Sequence, residues 1–354
     1  MPKPLKIAIL YDTWEGDPPE PGAEPEPEPE KESPKKKKAG SKKKRKKRNK
    51  LDREEIFDAL EKLGHDPTYV ILDGHKPSLL ALAKYNCDLI FNLTESFAGN
   101  DTNDKNIAAF LELLGTPYTG CGSDALFLAQ DKALAKKLFD FHGIKTPDFA
   151  TSFRGRVDHA HNIKFPLIVK PTSEDGSIGI DVGSVVENVK ELMERIHYIH
   201  EEFDSPVLIE EFIEGREIYG AILGNESVES LPLIELDLSK LPKGTPKIAT
   251  ADVKFMKDTE VYKVTKSGPV EDLAEETVQK LYDTSQAAYR ALKMRDFARI
   301  DMRLTPKGEV YVIEANPNPW LWSSAEFAMA AKQAGRSYTD MIGEIVELAL
   351  ARYR

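Results

Sequence analysis

Four polar side chains near the carboxyl end of the chain have the types and spacing of a site for magnesium and phosphate. Arg299 and Asp301 are two residues apart, as are Glu314 and Asn316, and Thr-Pro-Lys-Gly between the two pairs predicts a hairpin turn. Because residues two apart in a strand point to the same face, the hairpin would bring all four side chains together. Asp301, Glu314 and Asn316 offer the oxygen ligands that Mg²⁺ prefers, and Arg299 could hold a transferring phosphoryl group or an oxyanion. The pattern predicts Mg²⁺ that bridges nucleotide phosphates.

The alternative for these residues is a hairpin with salt bridges on the protein surface. Val310, Val312 and Ile313 flank the acidic pair and indicate a buried strand, which favours the metal site. The chain has no GxSxG elbow with a Ser-His-Asp signature, so a hydrolase triad is not indicated.

Two further segments could hold the rest of a nucleotide. Lys170 ends an apolar strand and is followed by a Ser/Gly loop through Ser177, which could cover phosphates with backbone N–H groups. The stretch Val207–Glu217 is an apolar strand that runs into carboxylates, as an adenine and ribose slot requires. Taken alone, the loop after Lys170 is better explained as an ordinary turn. The stretch Val207–Glu217 is explained equally well as a solvated acidic strand end.

Two other lysines could reach the same phosphates. Lys132 lies on the face of a helix, and Lys254 lies in a long polar connection, Thr245–Gly268, that could act as an active-site lid. Each lysine alone is more simply a surface charge.

The elements that would position these groups begin with alternating strands and helices. Lys6–Tyr11, Thr68–Leu72 and Asp88–Leu93 read as strands, and helices lie between and after them. We expect a parallel sheet with helices on both faces. One helix is expected from Ser123 through Phe141.

From about Phe165 the pattern changes to that of mixed sheets. Phe165–Lys170, Val207–Glu210 and Glu217–Leu223 read as strands, Glu271–Leu292 reads as a long helix, and Ala298–Leu304 pairs with Val310–Ala315.

A strongly charged segment interrupts the chain after the first strand. Glu20–Glu32 repeats Pro-Glu, and Lys35–Lys50 carries twelve basic residues, although the whole chain has a net charge of -10. Such a segment cannot bury a core, so we expect residues 15–50 to be a disordered insertion. The basic run could be a spacer, a weak contact for a polyanion, or a nuclear-import signal.

No run of about eighteen apolar residues is present, and no signal peptide or membrane contact is expected. Cys87 and Cys121 are far apart and read as reduced thiols. We expect a cytoplasmic protein.

In order and spacing, the segments resemble the ATP-grasp superfamily, and within it the D-alanine–D-alanine ligase-like family. The matching stretches cover nearly the whole chain outside the charged insertion: LELLGTPYTGCG, DKALAKKLF, FPLIVKP, VLIEEFIEGREI, ARIDM, VIEANPNP and AAKQAGRSYTDMI. The resemblance implies a three-domain ATP-grasp architecture: an N-terminal α/β substrate domain at 1–127, a central lobe at 128–213 and a C-terminal lobe at 214–354. The last would carry the metal site.

The same resemblance implies which residues hold ATP. Lys132 and Lys170 would contact the phosphates, with Ser177 in the loop that covers them. The base and sugar would be held by the segment after the second lysine: Glu210, Glu211 and Ile213 at adenine, and Glu217 at ribose.

The implied catalytic and metal residues are those of the hairpin and the lid. Asp301, Glu314 and Asn316 would bind two Mg²⁺ ions, with Mn²⁺ as the alternative metal. Arg299 would stabilise the transition state, and Lys254 would be the lid lysine. A substrate carboxylate would attack ATP to give an acyl phosphate, which an amine then attacks.

The sequence departs from the family where substrates would bind. A Gly-Gly-x-Ser-x-Glu stretch is replaced by Tyr11–Glu15, a His-Gly loop by Asn92–Ser96, and a Pro-Gly-Met turn by Asn318–Leu321. Glu95 falls near the family histidine and could pair with a cationic amino group, so an amino acid or short peptide is the expected substrate.

Three functions follow from these observations. The first is a ligase that joins an amino-acid-like carboxylate to an amine, and the second is the D-alanine–D-alanine ligase reaction itself. The third is a scaffold that binds ATP and is tethered to a polyanion or protein by its charged segment. Similar ligases are commonly dimers, so a homodimer is an expectation that only the resemblance carries.

Overall fold

The computed structural model describes residues 3–13, 50–153, 156–158, 163–172, 178–250, 253 and 259–354. The charged insertion at 15–50 falls almost wholly outside these residues. The expectation of disorder there stays a prediction.

The amino-terminal strands form the expected parallel sheet. β1 (Lys6–Asp12) lies between β2 (Asp66–Leu72) and β3 (Leu89–Asn92), and both pairings are parallel. Every residue of β1 after Lys6 is buried, because successive apolar side chains enter cores on opposite faces. Ile7 and Ile9 pack in one core, and Ala8 and Leu10 pack in the other.

Helices cover both faces of this sheet, as the alternating pattern predicted. The first face carries α1 (Asp52–Lys62) and the carboxyl-terminal helix α10 (Tyr338–Ala351), through buried Ile56 and Ile345. The second carries α2 (Lys76–Leu82) and α3 (Asp104–Leu114), through Leu82 and Ile107. The carboxyl terminus therefore completes the amino-terminal core.

The helix expected from Ser123 through Phe141 is in fact two helices. α4 (Ser123–Gln130) ends at Asp131, whose backbone is extended at φ -84° and ψ 91°, and α5 (Lys132–Phe141) begins directly after it. The Asp131 carboxylate accepts a hydrogen bond from the Leu134 N–H, at 3.0 Å. A side-chain cap of this kind favours a new helix start over continuation of the old helix.

The central sheet is antiparallel at every pairing among the described residues, so the expectation of mixed sheets was wrong. The helix α6 (Val189–Phe203) joins two strands of the same direction, but they lie on opposite sides of a third strand and do not pair. The strand order is β5-β4-β8-β6-β7. The strands are β4 (Phe149–Phe153), β5 (Arg156–Asp158), β6 (Leu167–Pro171), β7 (Val185–Val186) and β8 (Val207–Glu211).

The carboxyl-terminal sheet, also antiparallel where described, has the order β12-β11-β9-β13-β14, with β10 beside β9. Its strands are β9 (Arg216–Gly224), β10 (Val228–Ser230), β11 (Ile234–Asp237), β12 (Lys266–Pro269), β13 (Phe297–Leu304) and β14 (Val310–Asn316). The remaining helices are α7 (Glu260–Val264), α8 (Glu275–Ala291) and α9 (Glu326–Gln333). The long helix expected at Glu271–Leu292 is thus shorter at its start.

The two faces of this last sheet differ in chemistry. Ile218, Ile300 and Met302 point to one face and share a core with Leu281 and Ala288 of α8. The alternate residues of β9 and β13 carry charged and hydroxyl groups on the other face. Burial of the apolar face therefore fixes where the polar face lies.

The α/β architecture with a parallel amino-terminal sheet is confirmed. Each of the ranges 1–127, 128–213 and 214–354 contains one sheet. The boundaries between the three domains stay a prediction. In the described part of the chain, no helix combines the length and the apolar character needed to cross a membrane.

Candidate active site

The hairpin of β13 and β14 places Arg299 and the three expected metal ligands side by side. Arg299 lies opposite Asn316, and Asp301 lies opposite Glu314, in antiparallel register. An irregularity between Asp301 and Met302 shifts the register after these pairs. Opposed residues of an antiparallel pair share a face, so the two carboxylates, the amide and the guanidinium converge as the spacing predicted.

Arg299 and Asp301 form a two-point ion pair. Arg299 Nε lies 2.7 Å from Asp301 Oδ1, and Nη2 lies 2.9 Å from Oδ2. The guanidinium also lies 4.9 Å from the ring centre of Tyr219, and its Nη1 lies 3.6 Å from Glu326 Oε2. Burial acts to lower the pKa of Arg299, but the carboxylates of Asp301 and Glu326 outweigh it and raise that pKa. Arg299 is a permanent cation at this position.

The oxygen donors of the hairpin fit a hard divalent cation. Asp301 and Glu314 supply carboxylates, and Asn316 supplies an amide oxygen. Across the described ranges, no three histidine, cysteine, aspartate or glutamate side chains converge on one point. Magnesium here would need further oxygens from phosphate and water, which is how Mg²⁺ commonly binds at phosphate-transfer sites.

Lys132 reaches the same group of residues from α5. Its Nζ lies 2.8 Å from Glu314 Oε1, and only 5% of the lysine side chain is exposed. Lys132 is the first residue of α5, directly after the capping residue Asp131. The break between α4 and α5 therefore aims a predicted phosphate lysine at a predicted metal ligand.

Lys170 and Glu210 belong to a buried charge cluster with a third member. Glu210 Oε2 lies 2.7 Å from Lys170 Nζ, and Glu210 Oε1 lies 2.5 Å from Nζ of Lys136. Burial acts to raise the pKa of Glu210, but the two ammonium groups outweigh it and lower that pKa. Burial lowers the pKa of Lys136, although the carboxylate opposes that shift. We did not single out Lys136 from the sequence, although its spacing of four residues from Lys132 puts both on one helix face.

Glu217, expected at ribose, is held by two neighbours on the polar face. Arg303 Nη2 lies 2.6 Å from Glu217 Oε2, and the Tyr219 hydroxyl donates to Oε1 at 2.8 Å. Arg303 also donates to the carbonyl of Lys247 at 2.7 Å. The sequence analysis did not identify Arg303 either, although its position two residues after Asp301 puts both side chains on the same face of β13.

The remaining expected residues are placed less fully. Glu211 ends β8, and Ile213 follows it, half-buried. Ser177 and Lys254 lie outside the described residues. The nucleotide, metal and catalytic roles of all these residues stay predictions.

The amino-terminal sheet meets the loop after β14 at a second polar contact. Trp320 Nε1 donates to Glu95 Oε1 at 2.6 Å, and Asn318 Nδ2 donates to the Thr94 carbonyl at 3.2 Å. Asp12, at the end of β1, accepts from the Glu95 N–H at 2.9 Å. Burial raises the pKa of Asp12. The segments that depart from the family pattern therefore lie against one another.

Comparisons with known proteins agree with this arrangement. The family described as D-ala D-ala ligase C-terminus matches residues 137–347. D-alanine–D-alanine ligase of Aquifex aeolicus is 31% identical over 81% of this chain and 91% of its own length. An uncharacterized protein of Sinorhizobium fredii, y4sG, is 32% identical over 85% of this chain and 88% of its own.

Solved structures share the fold. D-alanine–D-alanine ligase from Bacillus anthracis, complexed with ATP, superposes with a TM-score of 0.71 at 23% identity and covers 98% of both chains. Another structure of that ligase has a TM-score of 0.67 at 26% identity and covers 85% of this chain and 92% of its own. The fold, the hairpin and the sequence relatives agree, and the chain belongs to the D-alanine–D-alanine ligase-like family of ATP-grasp enzymes, ATP-dependent ligases that form carbon–nitrogen bonds.

Proposed function

We propose that this ligase joins the carboxylate of an amino acid or short peptide to an amine, through an acyl phosphate. The substrate carboxylate attacks the γ-phosphorus of ATP and ADP leaves. The amine then attacks the acyl carbon, loses a proton, and inorganic phosphate leaves. The observation that carries the proposal is the arrangement of Arg299, Asp301 and Glu314 on one face of the hairpin, with Lys132 paired to Glu314.

The protein's contribution is positioning and charge neutralisation. Lys132 and Lys170 are the cations for the ATP phosphates, and each has a carboxylate partner within 2.8 Å that a phosphate oxygen would replace. Arg299, fixed by Asp301, faces the negative charge that develops at the reacting oxygens. Ser177 and Lys254 are proposed to cover the phosphates and exclude water.

Two Mg²⁺ ions, or Mn²⁺ in their place, are proposed at Asp301, Glu314 and Asn316. A bound cation neutralises phosphate charge and polarises the transferring group. The donor set supports this proposal, because two carboxylates and an amide leave room for phosphate oxygens.

The substrate is the least defined part of the proposal. Glu95 is proposed to meet the ammonium group of an amino acid, and its contact with Trp320 would orient it. The relative from Aquifex aeolicus is named for D-alanine, which supports the D-alanine reaction as the second candidate. The altered residues around Glu95 and Trp320 favour a different amino acid.

An amino-acid panel separates the candidate functions. Phosphate release from Mg·ATP is measured with D- and L-amino acids and dipeptides, singly and in pairs, and products are identified by mass. We expect release that depends on a particular pair, with an amide product. D-alanine alone as the best substrate would favour the second candidate. Release that is independent of any amino acid would contradict the ligase proposal.

Three broader expectations remain proposals. We propose a cytoplasmic homodimer whose basic run at 35–50 makes a weak contact with polyanions.

The third candidate function, a scaffold that binds ATP without catalysis, would give nucleotide affinity and no product in the amino-acid panel. Polyanion binding should weaken steeply between 50 and 200 mM salt by about three orders of magnitude or more. A flat salt response would remove the polyanion contact.

A further inference from the structure

Lys136 is a buried lysine for which the proposed reaction has no role. Only 1% of its side chain is exposed, and it lies one helical turn after Lys132 on α5. Its Nζ is 2.5 Å from Glu210 Oε1, 2.9 Å from Thr146 Oγ1 and 3.2 Å from the carbonyl of Ile313. A lysine ammonium has three donors, and these three neighbours account for them. Lys136 is therefore not positioned to turn towards a phosphate.

The contacts of Lys136 connect the two lobes of the site. Glu210 belongs to the central sheet, and Ile313 directly precedes Glu314 on β14 of the carboxyl-terminal sheet. Thr146 extends the connection, because its hydroxyl donates to the carbonyl of Val312 at 2.9 Å. One ammonium group thus contacts the strand of Glu210 and the strand of the expected metal ligand.

The contact between Lys136 and Glu210 bears on nucleotide binding because Glu210 carries a buried negative charge. Its carboxylate is 1% exposed and lies between Lys136 and Lys170. When Lys170 turns to a phosphate, Glu210 loses one of these two cations. A buried carboxylate with no cation partner is strongly unfavourable, so Glu210 would hold Lys170 back unless another cation stays.

We propose that Lys136 is a positioning residue for ATP. It stays with Glu210 and keeps that carboxylate neutralised, so that Lys170 can exchange its carboxylate partner for a phosphate oxygen. The inference rests on the proposed assignment of Lys170 to the ATP phosphates. It assigns Lys136 an effect on nucleotide affinity without any contact with nucleotide.

A double-mutant cycle on the full-length protein tests the proposal. The dissociation constant of the non-hydrolysable analogue AMP-PNP with Mg²⁺ is measured by calorimetry for wild type, Lys136→Met, Glu210→Gln and the double variant. We expect Lys136→Met to weaken binding about tenfold or more in the wild-type background. In the Glu210→Gln background, the same change should cost less than about threefold, because no carboxylate remains to be neutralised. Equal costs in both backgrounds would overturn the proposal.

Two further variants separate charge from general damage. Lys137→Met alters the exposed neighbour on the same helix and should bind within about twofold of wild type. Lys136→Arg keeps the charge and should stay within about threefold, even if Lys136→Met folds poorly. A loss with arginine beyond tenfold would contradict a role in neutralisation.

The melting temperature of each variant is also measured without nucleotide, to separate an effect on stability from an effect on affinity. A purely structural role lowers the melting temperature and leaves the affinity of the folded protein unchanged, which would overturn the inference. Failure of wild type to bind AMP-PNP would instead contradict the proposed function itself. Wild-type binding with an equal Kd for Lys136→Met would overturn the inference alone.

Discussion

At the scale of single residues, the charges of the site are arranged as exchangeable pairs. Glu314 lies 2.8 Å from Lys132, and Glu210 lies 2.7 Å from Lys170. In each pair one partner is a predicted phosphate lysine. If these lysines bind phosphate as proposed, the pairs would keep the ammonium groups close to the phosphate and limit the cost of burying charge before it binds.

Removal of one charge from the first pair should affect catalysis more than folding. Glu314→Gln keeps the shape of the side chain and removes a carboxylate from the predicted metal site, so we expect kcat to fall by about 100-fold or more. The melting temperature should change little, because a quarter of the Glu314 side chain is exposed. Glu309→Gln, on the exposed end of the same hairpin, is the matched control and should remain active.

Glu210 should contribute a pH-dependent part of the stability. Its pKa in the folded protein lies below the ordinary value of 4.5, so its contribution is present above pH 4.5 and is lost as pH falls through the folded pKa. At pH 7, Glu210→Gln should cost about 3 kcal/mol, because it leaves buried lysines without their carboxylate. Thermal melts should show a deficit of about 5–10 °C at pH 7 that shrinks towards pH 3. A deficit that stays constant between pH 7 and pH 3 would contradict a pH-dependent contribution of Glu210 to stability.

At the scale of elements, the polar face of the carboxyl-terminal sheet depends on the packing of its other face. Strand β9 approaches α8 closely at Gly220, where an added Cβ would lie 3.0 Å from Ser285 Cβ and 3.1 Å from Met302 Cε. Met302 follows Asp301 directly on β13. A shift of the Met302 backbone would therefore move the adjacent Asp301, a predicted metal ligand.

A pair of glycine variants in one sheet tests this dependence. Gly220→Ala should cost about 1–3 kcal/mol through overpacking against α8 and should also lower activity. Gly268→Ala in β12 is the matched control, because its added Cβ would meet nothing within 4 Å. We expect the control to stay within about 0.5 kcal/mol of wild type. Equal melting temperatures and activities for the two variants would show that the close packing of Gly220 against α8 affects neither stability nor activity.

At the scale of the whole molecule, elements that are distant in sequence contact one another across the sheets. The carboxyl-terminal helix α10 packs on the amino-terminal sheet, and the loop after β14 contacts the end of β3 through Trp320 and Glu95. Contacts between residues distant in sequence therefore hold the amino-terminal sheet against the carboxyl-terminal part of the chain. A change in one sheet can reach the others through these contacts.

The charged insertion should be dispensable for this assembly. A Gly/Ser linker in place of residues 20–48 is expected to leave the melting temperature within about 2 °C, because a highly charged segment with few apolar residues adds no core. Differential scanning calorimetry and the phosphate-release assay measure the effect. Loss of cooperative unfolding in the linker variant would show that the insertion is part of the fold.

The sequence by itself determined the order of elements, the parallel first sheet and the hairpin that carries the predicted metal ligands. These features depend on local periodicity: apolar residues at strand or helix spacing fix which face is buried, and residues two apart then share the other face. The prediction failed at Asp131, where one hydrogen bond of a side chain ends one helix and starts the next. It also failed for the central sheet, because helical spacing does not reveal which strands pair.

Only the tertiary structure decided the partners of the charged groups. Lys136 contacts Glu210, Arg303 contacts Glu217 across 86 residues, and Trp320 contacts Glu95 across 225 residues. Periodicity specifies the direction in which a side chain leaves its own backbone, but a partner is fixed by how separate elements pack. Lys132 taken alone therefore read as a surface charge, and only the packing of separate strands against α5 showed that Lys132 pairs with Glu314 and Lys136 with Glu210.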